Sequence, residues 1–146
     1  AYNIGSAFRI ADSIFAKKVW ICGKNVVTPL DRQVQKSSVN TCELIEWESI
    51  EDTIDIFDKF NSHTAFISIE KTDSFSNIKL SNLNTINKNC IYNNEPLCLI
   101  VGSESHGIDE KILFKCSYVV EIPMYGINNS MNVINALAIA CSHLMW

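Results

Sequence analysis

Residues 119–135, VVEIPMYGINNSMNVIN, join the end of a predicted strand to the start of a predicted helix. Val120 and Ile122 belong to a short apolar run, which Pro123 ends because proline has no N–H to donate to a β-ladder. A polar loop follows, and from Ser130 onward apolar residues recur at helical spacing. Ligands of open α/β sheets bind where strands end in such loops. The stretch therefore predicts a functional site, although an ordinary connection with Ser130 as the helix N-cap would give the same pattern.

Strand and helix patterns alternate along the rest of the chain. Short apolar runs predict strands over residues 19–22, 65–69 and 97–101. Apolar residues at helical spacing predict amphipathic helices over residues 7–15 and 50–60. Continuously apolar strands are typical of parallel sheets, which are buried on both faces. The predicted fold class is therefore α/β, with a mainly parallel sheet flanked by helices.

The connecting segments carry most of the polar residues. Residues 3–6 are predicted to form a loop that leads into the first helix, and residues 31–38 a short polar helix. Residues 72–94 are rich in Asn, Ser and Lys without a clear period, which predicts mainly surface loop. The chain begins at a glycine-bearing loop, so we expect that the strand which should precede this loop is missing from the sequence.

Composition limits the class of protein. A chain of 146 residues with 47% hydrophobic and 19% charged residues predicts a single domain over residues 1–146 with its own core. No apolar run approaches the roughly 18 residues that a membrane span needs, so no membrane association is expected. The net charge of −4 argues against strong binding of a polyanion by this domain alone.

The six cysteines show neither a CxxC pair nor the spacing of zinc ligands. We therefore expect no metal site and reduced thiols, in a cytoplasmic or nuclear protein.

Several common catalytic motifs are absent. GSESHG at residues 102–107 is not the G-x-S-x-G nucleophile elbow, because Ser105 follows Gly102 by three positions rather than two. The sequence contains neither G-x-G-x-x-G nor a phosphate-binding loop with its lysine. Three polar loops, at residues 3–9, 102–107 and 123–132, remain as candidates for chemistry.

These three loops resemble, in order, the motifs of the SpoU family of RNA ribose 2′-O-methyltransferases, within the SPOUT class. The matching segments are Asn3-x-Gly5-x-x-x-Arg9, LIVGSESHGI at residues 99–108, and Ile122-Pro123-Met124 with Ser130-Met131-Asn132-Val133. Leucine usually stands at the position of Met131. ISIEKT at residues 67–72 and Gln35-x-x-Ser38-Val39 resemble most the eukaryotic branch, which methylates a D-loop guanosine of tRNA.

The resemblance implies a C-terminal trefoil knot, a homodimer, an RNA substrate (a tRNA in that branch) and S-adenosylmethionine (AdoMet) as cofactor. The implied cofactor-binding residues are Ile69, Glu70, Gly102, Glu104, Ile122, Met124, Ser130 and Met131. Gly102 is expected to let the ligand approach closely, where a Cβ would collide. Glu104 is expected to form a hydrogen bond between loops, with Asn3 as its candidate partner.

The implied catalytic residues are Arg9, Asn3, Ser130 and Asn132. A guanidinium stays protonated in proteins, so Arg9 is expected to hold a phosphate or the 2′-oxygen rather than to act as a base. Two other classes stay open, namely a non-catalytic knotted RNA-binding or scaffold domain and a flavodoxin-like nucleotide-binding regulatory domain. Titration with AdoMet separates them, because only the methyltransferase requires AdoMet.

Overall fold

The computed structural model describes residues 1–73 and 77–145 of the chain. Its α-helices and β-strands, in chain order, are α1 (Tyr2–Ser13), β1 (Lys18–Cys22), α2 (Arg32–Ser38), β2 (Glu46–Ile50), β3 (Ala65–Ile69), β4 (Ile78–Lys79), α3 (Leu83–Asn93), β5 (Leu97–Val101), α4 (Glu110–Leu113), β6 (Tyr118–Glu121) and α5 (Val133–Met145). Short 3₁₀ helices span Thr41–Glu43, Thr53–Lys59 and Leu80–Asn82. The chain divides into two compact units, unit 1 (Ala1–Lys59) and unit 2 (Phe60–Trp146). The expectation of a single domain over residues 1–146 stays a prediction.

Unit 1 contains a two-stranded parallel sheet of β1 and β2, in which Lys18 lies opposite Glu46. Phe8 of α1 is fully buried and packs with Ile21 of β1 and Cys42. Burial of one such side chain contributes about 1.5–3 kcal/mol, which makes Phe8 the main anchor of α1.

The predicted loop at residues 3–6 is wrong, because α1 already begins at Tyr2. Gly5 is therefore not a loop glycine; it lies inside the helix, where α1 packs against α2. A Cβ added to Gly5 would lie 2.8 Å from the Ser38 backbone nitrogen and 2.8 Å from the Ser37 Cβ. This glycine is therefore needed for close helix packing rather than for a turn.

Unit 2 contains a four-stranded sheet in the order β4-β6-β3-β5, in which all three pairs are parallel. Ala65 lies opposite Leu97, and Ile69 lies opposite both Val101 and Val120. The predictions of strands at residues 65–69 and 97–101 and of a mainly parallel sheet are confirmed. All five residues of β3 are buried, as expected for the centre of a parallel sheet.

The prediction that residues 72–94 form mainly loop is wrong for α3, while Ser74–Ser76 lie outside the described residues. Leu83 of α3 is fully buried in the core of unit 2, together with Ile67, Val120 and Ala140. The apolar residues of α3 are spaced as in a helix, but the many asparagines between them have weak helix propensity and obscured the pattern.

Two asparagines of α3 tie this helix to the end of α5. The Asn84 and Asn87 Nδ2 atoms donate hydrogen bonds of 3.4 and 3.0 Å to the Leu144 carbonyl. This carbonyl belongs to the last turn of α5, where backbone acceptors have no partner within the helix. The asparagine-rich segment thus supplies a cap for the C-terminal helix.

Two further boundaries differ from the predictions. The amphipathic helix predicted over residues 50–60 is a 3₁₀ helix at Thr53–Lys59, because β2 continues to Ile50. The last helix begins at Val133 and not at Ser130, because the Asn132 side chain caps it: the Ile134 N–H donates to Asn132 Oδ1 at 2.9 Å.

Three helices end in a left-handed residue that is not glycine. Phe15, Val39 and Asn94 have φ values of 54°, 52° and 54° after α1, α2 and α3. Each belongs to a Schellman motif; after α1, for example, the Ala16 N–H donates to the Ala11 carbonyl at 2.9 Å. Asparagine tolerates this conformation, whereas an aromatic or β-branched residue is strained in it.

No helix among the described residues combines the length and apolar character needed to cross a lipid bilayer.

Candidate functional site

A cleft of about 750 Å³ lies at one edge of the unit 2 sheet. β3, β5 and β6 run parallel, so their carboxyl ends meet at this edge. The cleft is bounded by the segments that follow these strands and by the start of α5. Ligands of open α/β sheets bind at this position, and the volume lies in the usual range for small-molecule sites, about 300–1,000 Å³.

The cleft brings together residues that are far apart in the sequence. Those predicted from the family resemblance that line it are Ile69, Glu70, Gly102, Glu104, Ile122, Met124, Ser130, Met131 and Asn132. All of the predicted cofactor-binding residues are therefore placed around one cavity. Their contacts with a cofactor stay a prediction.

The segment after β5 forms a tight hairpin. The Ser103 N–H donates to the Gly107 carbonyl at 3.2 Å, and the Gly107 N–H donates back to the Ser103 carbonyl at 2.9 Å. Gly107 has φ +63°, and a Cβ added to Gly102 would lie 2.7 Å from the Gly107 Cα. The missing side chain of Gly102 thus permits contact between the two arms of the hairpin, a role that was not anticipated from the sequence.

Glu70 fixes this hairpin from the end of the neighbouring strand. Glu70 Oε2 accepts a hydrogen bond of 2.8 Å from the Ile108 N–H, and Oε1 accepts one of 3.1 Å from the Lys71 N–H. A Cβ added to Gly107 would lie 2.6 Å from Glu70 Oε2, so the carboxylate lies directly against the hairpin backbone. A charged acceptor on backbone N–H groups makes a comparatively strong hydrogen bond.

Glu104 connects the hairpin to the loop before α5. Its Oε1 accepts a hydrogen bond of 2.6 Å from Asn132 Nδ2. Because Asn132 Oδ1 also caps α5, one amide side chain orients the helix and holds the hairpin. The predicted hydrogen bond of Glu104 between loops is confirmed, but its partner is Asn132 and not Asn3.

Arg9 and Asn3, predicted as catalytic, both lie on α1 in unit 1. Arg9 is exposed and Asn3 is half-buried. Their catalytic roles stay predictions, as do those of Ser130 and Asn132. Ser130 is exposed where it lines the cleft, and its alternative role as the cap of α5 is wrong, since Asn132 takes that position.

The sequence reasoning missed several polar residues of the cleft, notably Lys71, His106 and Asn129. Each lies within one or two positions of a predicted residue. For Lys71 the sequence does contain a signal, because this residue follows the end of an apolar strand. The cleft also contains Glu110, and among the described residues that line it carboxylates outnumber lysines. Among the described residues, no three His, Cys, Asp or Glu side chains are grouped so that they could hold a metal ion.

Known proteins resemble this chain over nearly its whole length. A protein of Staphylococcus haemolyticus (strain JCSC1435), assigned to the TrmH family of tRNA/rRNA methyltransferases, is 24% identical over 145 residues, which cover 99% of this chain and 52% of that protein. The chain thus spans about half the length of the curated relatives that it matches.

Solved structures share the fold. An AdoMet-bound rRNA methyltransferase from Sinorhizobium meliloti superposes with a TM-score of 0.81 at 16% identity, over 98% of this chain and 51% of that one. An RNA 2′-O ribose methyltransferase superposes with a TM-score of 0.77 at 22% identity, over 99% and 51%. Residues 1–142 match the SpoU rRNA Methylase family, and this chain therefore belongs to that family.

Proposed function

We propose that this chain is the catalytic domain of an AdoMet-dependent RNA ribose 2′-O-methyltransferase that acts on tRNA. The observation that carries the proposal is the cleft at the carboxyl ends of β3, β5 and β6, where the motif residues converge. Its support from relatives is that proteins of similar sequence or fold are named as tRNA/rRNA or RNA 2′-O ribose methyltransferases.

The residues of the cleft fit AdoMet in size and charge. A structural neighbour binds AdoMet, and Glu70, Glu104 and Glu110 give this cleft the negative potential that favours a cationic ligand. Gly102 and Ile122 line the cleft at the ends of β5 and β6, where backbone N–H and C=O groups can recognise an adenine edge, and Met131 offers apolar contact. AdoMet supplies a methyl group that is activated by its attachment to a sulfonium.

The reaction forms a bond between the ribose 2′-oxygen and the methyl carbon and breaks the bond between that carbon and sulfur. The hydroxyl proton leaves to a phosphate or to water. Within this scheme the protein mainly positions its two substrates. Arg9 holds a phosphate or the 2′-oxygen, and its fixed positive charge stabilises the developing alkoxide. Asn3 takes part in catalysis from the first turn of α1, while Ser130 and Asn132 position the ribose at the cleft.

The finer features of the family complete the proposal. The C-terminal segment is knotted, two chains form a homodimer, and the substrate is a D-loop guanosine of tRNA. The knot is supported by the order of the sheet, in which β6 lies between the earlier strands β3 and β4. Sedimentation equilibrium tests the dimer, and an experimental electron-density map traced from residue 60 onward tests the knot.

The function is tested with purified chain in two steps. Isothermal titration measures AdoMet binding, and incubation of tRNA with ¹⁴C-methyl AdoMet, followed by nuclease digestion and mass spectrometry, identifies the modified nucleoside. We expect binding and a label on 2′-O-methylguanosine. A label on a base, or no AdoMet binding, would refute the proposal. AdoMet binding without transfer to any RNA would instead favour the non-catalytic RNA-binding domain.

Arg9 can be tested against a matched control, since Arg32 is an exposed arginine on α2. Arg9→Ala should abolish transfer and leave the AdoMet Kd nearly unchanged, and Arg32→Ala should change neither. Arg9→Lys should recover little activity, because an ammonium cannot reproduce the planar guanidinium fork. Full activity of the lysine variant would mean that only a positive charge is needed.

A further inference from the structure

The loop between β6 and α5 presents two large apolar side chains to solvent. Tyr125 is 94% exposed and Ile127 is 101% exposed. A Cβ added to Gly126, between them, would have no neighbouring atom within 4 Å. The tip of this loop is therefore exposed to solvent and stands clear of the rest of unit 2.

The same loop borders the cleft on both sides of its tip. Met124 precedes Tyr125 and lines the cleft, and Asn129 and Ser130, which follow the tip, line it as well. A polymer can bring one of its nucleotides to the cleft across this rim. Its neighbouring nucleotides are then within reach of the tip of the loop.

The charges near the cleft do not favour RNA binding through contacts with phosphates. The chain has a net charge of −4, and the described residues that line the cleft include three carboxylates and one lysine. Aromatic stacking does not depend on net charge, and it is tolerant of sequence because every base has a π-face. An exposed tyrosine at the rim supplies this kind of contact, which an aliphatic side chain does not.

We infer that Tyr125 stacks on a base of the RNA, next to the nucleotide whose ribose enters the cleft. This inference rests on the proposed function and adds a specific RNA contact to it. Ile127 extends the apolar tip but has no π-face, so the stacking contact falls to Tyr125 alone. The alternative occupant of the tip is a second copy of this chain, which the experiment below distinguishes.

The experiment compares variants of the whole chain, with unfractionated tRNA as the RNA probe, at each of two fixed salt concentrations. Filter binding measures the RNA Kd, and isothermal titration measures the AdoMet Kd. Tyr125→Ala and Tyr125→Leu should weaken tRNA binding about 10-fold, because the free energy of one base–aromatic stack corresponds to a change of about that size in Kd. Tyr125→Phe should stay within about 2-fold of the wild type because it keeps the ring. All of these variants should bind AdoMet as the wild type does.

Tyr92 provides a matched control, because it is 90% exposed on α3 and does not line the cleft. Tyr92→Ala should leave tRNA binding unchanged. The Tyr125→Ala loss should also be the same at two salt concentrations, since no phosphate contact is removed.

The possible results separate this inference from the proposed function. Unchanged tRNA binding by Tyr125→Ala, or full binding by Tyr125→Leu, would overturn stacking. So would conversion of a dimer to a monomer in sedimentation of Tyr125→Ala, which would assign the tip to an interface between copies. A wild-type chain that binds no tRNA would overturn it too. Failure of the wild type to bind AdoMet would instead refute the proposed function.

Discussion

Substitutions that reverse the donor and acceptor of the hydrogen bond between Glu104 and Asn132 test whether this contact is needed to form the cofactor cleft. Asn132 Nδ2 donates to Glu104 Oε1 at 2.6 Å, and Asn132 Oδ1 accepts from the Ile134 N–H at 2.9 Å. Asn132→Asp keeps an acceptor for the helix cap but replaces the donor with a second carboxylate. The variant therefore alters the link between the loops and spares the cap.

The magnitude follows from the distance between the two groups. Two negative charges 2.6 Å apart repel by about 1.6 kcal/mol at the dielectric constant of water, a suitable value because both side chains are exposed. The lost hydrogen bond adds about 0.5–1.5 kcal/mol. Together these costs are about 2–3 kcal/mol, so if AdoMet needs the loops together, its Kd should rise about 30- to 150-fold. Thermal stability should fall by about 1–3 kcal/mol, because a carboxylate at the N-terminus of α5 offsets only about 0.3–1 kcal/mol of this cost.

Glu104→Gln combined with Asn132→Asp restores the hydrogen bond with its direction reversed. The glutamine Nε2 can donate to the aspartate, and no like-charge pair remains. Isothermal titration should give an AdoMet Kd for the double variant within about 3-fold of the wild type, with thermal melts as the folding control. Wild-type affinity of Asn132→Asp alone would show that the contact does not form the cleft. A loss that the double variant fails to restore would mean that Asn132 or Glu104 acts on the cofactor itself.

Three further predictions concern other parts of the chain. Gly102→Ala should lower AdoMet affinity by about 10-fold or more and should also lower the melting temperature, because the new Cβ would lie 2.7 Å from the Gly107 Cα. As a control, Gly126→Ala should change neither quantity, because its Cβ would have no atom within 4 Å. Val39→Asn should raise the free energy of unfolding in urea by about 1 kcal/mol, since φ is 52° there, and an unchanged midpoint would contradict this reason. Burial raises the pKa of the Cys22 and Cys141 thiols to about 11. Both should therefore resist iodoacetamide at pH 8 unless the protein is unfolded, as mass spectrometry can measure. Their contribution to stability should be complete below about pH 9 and lost as the pH rises through about 11; rapid labelling of the folded protein would be the contrary result.

The elements predicted correctly are those whose sequence carries the reason for their structure. Residues 65–69 and 97–101 are short apolar runs, and such runs form central parallel strands because both faces are covered. The N-terminal loop was predicted wrongly because Gly5 owes its place to the contact with Ser37 on α2, which no local pattern contains.

For the site, resemblance to a family indicated which residues belong together, and the structure indicated how they are connected. The convergence of Glu70, Gly102 and Ile122 at one edge of the sheet follows from parallel strand order. The partner of Glu104 could not be chosen in this way. Asn3 and Asn132 are both motif asparagines, and only the three-dimensional path of the chain brings Asn132 within 2.6 Å.

The non-glycine helix ends have a consequence for how this protein can change. The chain has only 5 glycines, and two of them, Gly102 and Gly107, are held in the hairpin, while Phe15 and Val39 occupy left-handed positions that favour glycine or asparagine. Strain at those helix ends lowers the stability without contributing to the cleft hydrogen bonds. Relieving it would raise the protein further above its folding threshold, and substitutions in the cleft that are otherwise too costly could then be accepted. Stabilising substitutions at the ends of α1 and α2 could therefore compensate for destabilising substitutions in the cleft, through which new specificities could evolve.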